Sequence, residues 1–434
     1  MIDFTSEIGN YLKKLFFITR SITGNGNRET LKILQDIVPL KILEYSTGDE
    51  VYDWVIPKEW NIVDAWIKNS KGEKIIDFKV SNLHVVSYSV PISKKLKLSE
   101  LENNLYYLEK LPNAIPYRTS YYSETWGFCV SYEQYKNLFN DDEEYEVFID
   151  SSLTEGSLSI GELLIKGKSK KEYLLSCYIC HPSMANDSLS GIITTAFIAR
   201  ELLSKREELE HSYRIVFVPE TIGAIAYCSK NERVMKNIDN GLVITTCGGP
   251  GKFGYKQSFE NNNFINSMIE EVFAENNLDF VAYPFDIHGS DERQYSSQGF
   301  KINCATISKD KYYEYDYYHT SLDNLDFVKV DYLNETLSLY LQLIDKMDKN
   351  ITYTNLYPNG EVMLSKHDLY PKTGGALLPN SNVSALDIIL WLLYYCNGSI
   401  NLYKISKNLK VNIQLVYAEA KKLEEKNILE YTNK

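Results

Sequence analysis

The sequence predicts an α/β protein: a mixed sheet with helices on both faces, a small β-rich domain, and a C-terminal winged-helix module. Three patterns predict it. From about residue 156 strand-like and helix-like segments alternate, which builds a sheet covered on both sides. From about 46 to 155 apolar and polar residues alternate with the period of strands. After about 376 three helical stretches follow one another through short turns.

Taken in order, residues 4–20 have helical periodicity, 21–27 break it, and ETLKILQDIV (29–38) forms a second amphipathic helix, giving an N-terminal segment 1–45. Residues 46–155 read as strands, with a turn at Ser70-Lys71-Gly72. Residues 156–352 form the α/β domain. GSLSIGELLIKG and EYLLSCYIC are strands, 190–209 is a long helix, and YRIVFVP (213–219) is a near-continuous apolar run, as a buried strand requires. Strands at 241–249 and 301–308, a helix at 263–277 and a closing helix at 334–349 complete it. A linker is expected over 353–375. In 376–434, ISKNLKVNIQLVYAEAKKLEEKNIL fits a helix-turn-helix followed by a wing. Ligands in such sheets sit at the carboxyl ends of the strands.

The chain has 434 residues, enough for about two to three domains. A formal net charge of −12 disfavours a protein that lives on nucleic acid or anionic membrane. No apolar stretch reaches the ~18–20 residues of a membrane span; ALDIILWLLYYC (385–396) is shorter and carries Asp387. The opening MIDFTSEIGNYLKKLFFITRSITG has no apolar run before a small-residue cleavage site. The seven scattered cysteines suit buried free thiols in a reducing compartment. A cytoplasmic location is expected. The 34 tyrosines supply apolar area with a hydroxyl, which suits a pocket for a polar ligand and equally suits a compositional bias.

The chemistry concentrates in SCYICHPSMANDSLSG (176–191). Cys177, Cys180 and His181 spell a haem-attachment sequence, but side chains alternate along a strand, so the two thiols face opposite ways. The other reading is a metal site. His181 ends one strand and Asp187 follows in the loop before a helix. Glu220 ends the strand RIVFVP, and His319 stands in the polar loop YYHTSLDNLD. Imidazole and carboxylate are the ligand set of zinc and its neighbours, and a nearby Glu suits a general base. These residues alone leave two readings open, a metal hydrolase and ordinary loop polar groups.

The run His181 to Gly191 resembles the first metal motif of the co-catalytic zinc aminopeptidases of the leucyl aminopeptidase type. Pro219 to Ala226 resembles their Glu-Glu-x-Gly turn, Ser290-Asp291-Glu292 their Ser-Asp-His stretch, and Tyr318 to Asp323 their final His-Thr-x-x-Asp. Arg20 to Gly24, Asp53 to Trp60, Pro116 to Tyr122, Trp126 to Cys129 and Asp291 to Tyr295 look like signatures of bacterial aminopeptidase-like domain proteins with a C-terminal winged helix. The resemblance covers nearly the whole chain. It implies a zinc-exopeptidase-like sheet whose N-terminal helices belong to the core, with the β-rich segment as an insert. It also implies a role near surface polysaccharide or amino-sugar conjugates.

The departures shape the expected site. Thr221 stands where the second Glu of the pair would bind metal. No carboxylate occurs in 241–259, where Gly248 or Gly249 takes the place of an Asp. The Asp that normally follows the first His by two residues is missing too. One zinc or similar divalent metal, rather than two, is therefore expected on His181, Asp187 and His319, with Glu220 as general base or further ligand. Asp291, Glu292, Arg293, Tyr295 and Tyr121 are candidates for substrate binding or alternative ligation, and equally for structural pairing and packing. The expected function is a metal-dependent, aminopeptidase-like hydrolase acting on a peptide or amino-sugar amide, Glu220 deprotonating the attacking water. The alternative is a catalytically weak relative that binds a ligand or DNA. Lys404, Lys407, Lys410, Lys421 and Lys422 in the winged helix are offset by Glu419, Glu424 and Glu425, which favours a docking or dimer surface, hence a homo-oligomer, over nucleic acid.

Overall fold

A computed structural model describes residues 4–370 and 383–432. The expected linker (353–375) and the expected start of the winged helix (376) fall partly on 371–382, outside the described residues. The chain divides into two compact units, one of residues 1–165, 172–204 and 213–340, the other of 166–171, 205–212 and 341–434.

The first unit is organised by an eight-stranded mixed sheet. Its order is Lys41–Ser46, Ser157–Ile165, Ser212–Val218, Glu172–Tyr178, Asn240–Val243, Asn303–Lys309, Phe253–Lys256, Phe280–Tyr283. The strands Glu172–Tyr178, Asn240–Val243 and Asn303–Lys309 pair in parallel, and apart from part-exposed Glu172 their residues are buried. Their apolar runs have no polar face because both faces are covered. The helices Gly191–Ser204, Ile222–Lys230 and Phe264–Glu275 follow strand ends, and a closing helix runs Val330–Asp348.

Gly191 marks how tightly the first of these helices seats. A Cβ there would lie 2.3 Å from the carbonyl oxygen of Ile244, in the adjoining loop. The N-terminal helices are Thr5–Phe16 and Asn25–Leu34. The second starts four residues earlier than its periodicity predicts, because Gly24 turns the chain at φ +104°, with its Cα against the carbonyl of Trp60. Only glycine tolerates that conformation with that neighbour.

The β-rich segment carries a four-stranded antiparallel sheet ordered Lys74–Asp77, Glu59–Lys68, Glu144–Thr154, Ile92–Lys97. It has its own core around Ala65, Ile67, Phe128, Tyr145 and Val147. The second unit contains helices Ala385–Tyr395, Leu402–Leu409 and Ile413–Glu425 with a small sheet ordered Asn397–Asn401, Thr352–Asn355, Leu429–Tyr431. Its central strand lies in the stretch expected as linker; a four-residue edge-to-edge strand has too little sequence to show a period. All seven cysteines are buried free thiols, and among the described residues no helix is long and apolar enough to cross a membrane.

Gly191→Ala forces its Cβ into the Ile244 carbonyl. We expect a loss of about 1–3 kcal/mol, the usual cost of overpacking, read as a lower urea midpoint with an unchanged slope.

Candidate metal centre

The site is assembled where neighbouring strands end. Glu172–Tyr178 runs into His181, after which the chain turns through Asn186 and Asp187 into the helix at Gly191. Ser212–Val218 runs into Pro219 and Glu220. Asn240–Val243 runs into Thr245. His319 comes from the long loop after Asn303–Lys309.

Backbone hydrogen bonds fix these loops against one another. The buried carboxylate of Asp323 accepts the N–H of Asn186 at 2.6 Å on one oxygen and that of Asp187 at 2.9 Å on the other. The Ala185 N–H donates to the Asp323 carbonyl at 2.8 Å. Asn186 donates its side-chain amide to the carbonyls of Lys309 (3.2 Å) and Asp310 (3.4 Å) and accepts the Gly248 N–H at 2.9 Å. The His319 loop is tied to the β-rich segment, since Tyr117 N–H donates to the His319 carbonyl and Ser321 N–H to that of Ile115, both at 2.8 Å. Fully buried Arg20 donates its Nε–H to the His181 carbonyl at 2.9 Å and another N–H to Leu15 at 2.6 Å.

These restraints bring His181, Asp187 and His319 together, with one ligand atom of each within 4.8 Å of the others. His319 Nε2 is 3.0 Å from Asp187 Oδ2, yet it is buried and has no hydrogen-bond partner. A buried imidazole nitrogen left unpaired is costly, and here its neighbours are a second imidazole and a carboxylate. That donor set fits a divalent transition metal. The other Asp187 oxygen, Oδ1, accepts the hydroxyl of Tyr178, which also contacts Thr245 Oγ1 at 2.7 Å.

Electrostatics agree with this donor set. Burial lowers His181 to about 4, so its ring is neutral at neutral pH, the form that binds metal. Burial pushes Asp187 up, but the two imidazoles and the Tyr178 hydroxyl hold it below the ordinary range. Glu220 Oε2 stands 3.8 Å from His181 Nε2. Burial, then the charges of Asp291 and Asp187, raises its carboxyl well above the ordinary range. The side chains of His319 and Glu220 remain 35% and 27% exposed, whereas His181 and Asp187 are buried, so the site opens on the His319–Glu220 side.

The remaining predicted residues frame the site. Asp291 is fully buried, accepts the Thr221 N–H at 2.7 Å, and is raised to about 7 by burial. Glu292 is buried in an ion pair with Lys256 (2.8 Å) and accepts the Tyr312 hydroxyl at 2.7 Å. Arg293 is exposed, 3.3 Å from Thr221 Oγ1. Tyr295 lies in the core with its hydroxyl on Ser176 at 2.8 Å. Tyr121 bonds to Tyr117 at 3.1 Å, and the Tyr117 ring packs 5.3 Å from both His181 and His319. Gly248, expected with Gly249 where an Asp would stand, donates its N–H to Asn186 Oδ1 beside Asp187. A Cβ on Gly248 would meet Val328 and one on Gly249 would meet Asp310; Thr245 reaches Asp187 through Tyr178. Tyr178 and Cys180 carry no signal in the sequence beyond that of core residues in an apolar strand. Asp323 closes the run Tyr318 to Asp323, and nothing in its local sequence signals that it holds the Asp187 loop.

The family described as "Domain of unknown function (DUF4910)" matches residues 10–350, and one described as winged helix-turn-helix matches 351–431. A Clostridium acetobutylicum protein is 45% identical over 369 residues, 85% of this chain and 84% of that one; its name refers to polysaccharide biosynthesis and an aminopeptidase-like domain. A crystal structure from Clostridium acetobutylicum, named for a peptidase, is 40% identical with a TM-score of 0.85, covering 98% of this chain and 96% of its own. A zinc aminopeptidase from Bacillus subtilis shares the fold at 12% identity and a TM-score of 0.58, covering 79% and 94%.

Asp323→Ala leaves two buried N–H groups unpaired, at about 1–3 kcal/mol each. We expect the Asn186 and Asp187 amides to exchange hydrogen measurably faster in the variant, while amides of the core strand Ser212–Val218 keep their protection.

Proposed function

This chain belongs to the family described as a domain of unknown function (DUF4910), and on that premise we propose that it is a single-metal amide hydrolase of the aminopeptidase type. The observation that carries the reading is the unpartnered, buried Nε2 of His319 facing Asp187 and His181. These three residues would hold the metal. The engagement of Asp187 Oδ1 by Tyr178 supports one metal rather than two, because it occupies the oxygen that a second metal, bound opposite the first, would take. Neutral Thr221 and Thr245 at the flanking positions support the same count.

When bound, the metal supplies Lewis acidity that polarises an amide carbonyl and acidifies water. The chain supplies the proton traffic. Glu220 reaches into the same opening, and its raised carboxyl suits a group that takes a proton from the attacking water and returns it to the leaving nitrogen. Tyr117 walls the site against both imidazoles and narrows the approach to the His319–Glu220 side. Arg293, exposed beside Thr221, is placed to meet a carboxylate or a developing charge. Asp291 and Glu292 act as a buried anionic frame rather than as free contacts. The substrate would be a peptide, or an amide on an amino-sugar conjugate, carrying a free amine. The name of the Clostridium acetobutylicum relative supports the second class.

The winged helix would serve docking rather than nucleic acid. Two lysines of its last helix are already spent: Lys421 pairs with Glu210 (3.2 Å) and Glu424 (2.7 Å), and Lys422 with Glu419 (2.7 Å).

Protein purified without a histidine tag should carry about one transition metal per chain, lost in His319→Ala and kept in Glu220→Gln. Against a panel of aminoacyl and amino-sugar amides, Glu220→Gln should lower kcat by ~10²–10⁴-fold, the usual contribution of a general base. No metal in the wild type after incubation with zinc would sink the reading.

A further inference from the structure

The strand that leads to His181 ends in a cysteine, and its sulfur lies between two groups of the site. Cys180 Sγ is 3.5 Å from His181 Nδ1. It also accepts the backbone N–H of Glu220 at 3.3 Å. The residue is 1% exposed and forms no disulfide. A sulfur in that position is a weak acceptor rather than a spectator. His181 Nε2 lies 3.8 Å from Glu220 Oε2, and His181 belongs to the cluster with Asp187 and His319; a proton on Nδ1, directed at the sulfur, would leave Nε2 bare.

We propose that Cys180 is a positioning residue whose sulfur fixes the tautomer and ring orientation of His181 and, through the same atom, the height of Glu220. Metal-binding histidines generally pass their other ring N–H to a carboxylate, a carbonyl or water, and this partner sets ligand basicity. Among the described residues, no carboxylate hydrogen-bonds His181 Nδ1. Arg20 holds the backbone of His181 through its carbonyl, and Cys180 holds the ring. Two restraints on opposite ends of one residue leave its free nitrogen a single direction. The same atom couples the site's two functions, since a displacement of the sulfur moves both a ligand and the proton carrier.

The inference rests on His181 being a metal ligand, but its test does not need metal. The full chain, labelled with ¹⁵N at histidine and freed of metal, is examined by long-range ¹⁵N–¹H correlation, with His181→Gln assigning the signal. In the wild type His181 should carry its proton on Nδ1. Cys180→Ala should populate both tautomers, and Cys180→Ser, which restores an acceptor, should recover the Nδ1–H form. In zinc titration, Cys180→Ala should weaken binding by ~10- to 100-fold, the range for loss of a partner behind a ligand, with Cys180→Ser intermediate. An unchanged tautomer in Cys180→Ala overturns the proposal even if the variant binds zinc poorly. So does an intense sulfur-to-metal absorption in cobalt-loaded wild type, which would make Cys180 a ligand. Failure of the wild type to bind zinc would defeat the hydrolase reading, while the tautomer comparison would still decide the role of Cys180.

Discussion

The buried carboxylate of Asp323 holds the site together. Each of its oxygens accepts a backbone N–H from the turn that carries Asp187, and its own carbonyl accepts a third, from Ala185. Asp323 lies four residues after His319. The loop that delivers one imidazole is thereby locked to the loop that delivers the carboxylate, across 136 positions of sequence. Burial pushes this carboxyl up to about 7 despite the two N–H donors, which oppose the rise. Asn186 extends the lock to two more strand ends through Lys309, Asp310 and Gly248.

Around that lock the polar groups divide into satisfied and waiting. Glu292 is paired with Lys256, and Asp187 gives one oxygen to Tyr178. His319 Nε2 faces Asp187 without forming a hydrogen bond, and among the described residues Asp291 Oδ2 and Glu292 Oε2 form none either. Unpaired buried groups concentrate where a fold serves something other than its own stability. The protein spends hydrogen bonds on the backbone of the site and leaves side-chain atoms open at its centre. The β-rich segment takes part directly, since Ile115 and Tyr117 brace the His319 loop.

The architecture was legible because period and burial speak locally. Glu172–Tyr178 and Ser212–Val218 are apolar runs in the sequence and buried strands in the structure. His181, Asp187 and Glu220 stood out because each follows a strand, and the topology gathers strand ends. The rest is written in contacts between distant residues. Asp323 serves the site through backbone amides far away in the chain. Ile115 reaches Ser321 across 206 positions, and no periodicity could signal that the β-rich segment braces the loop of His319. Thr245 reaches Asp187 only through the Tyr178 hydroxyl, and Gly248 meets Asn186 through its backbone, links that a count of residues does not show. The strand Thr352–Asn355 escaped notice as a short polar TYTN run.

His181, Asp187 and His319 are proposed to hold one metal without sulfur. X-ray absorption of the zinc-loaded protein tests it most directly. The account predicts a coordination sphere of nitrogen and oxygen with two imidazoles, and no metal–metal scattering in the ~3.5–4 Å range of two-metal sites. A zinc–sulfur shell near ~2.3 Å, or a zinc–zinc vector, would contradict it.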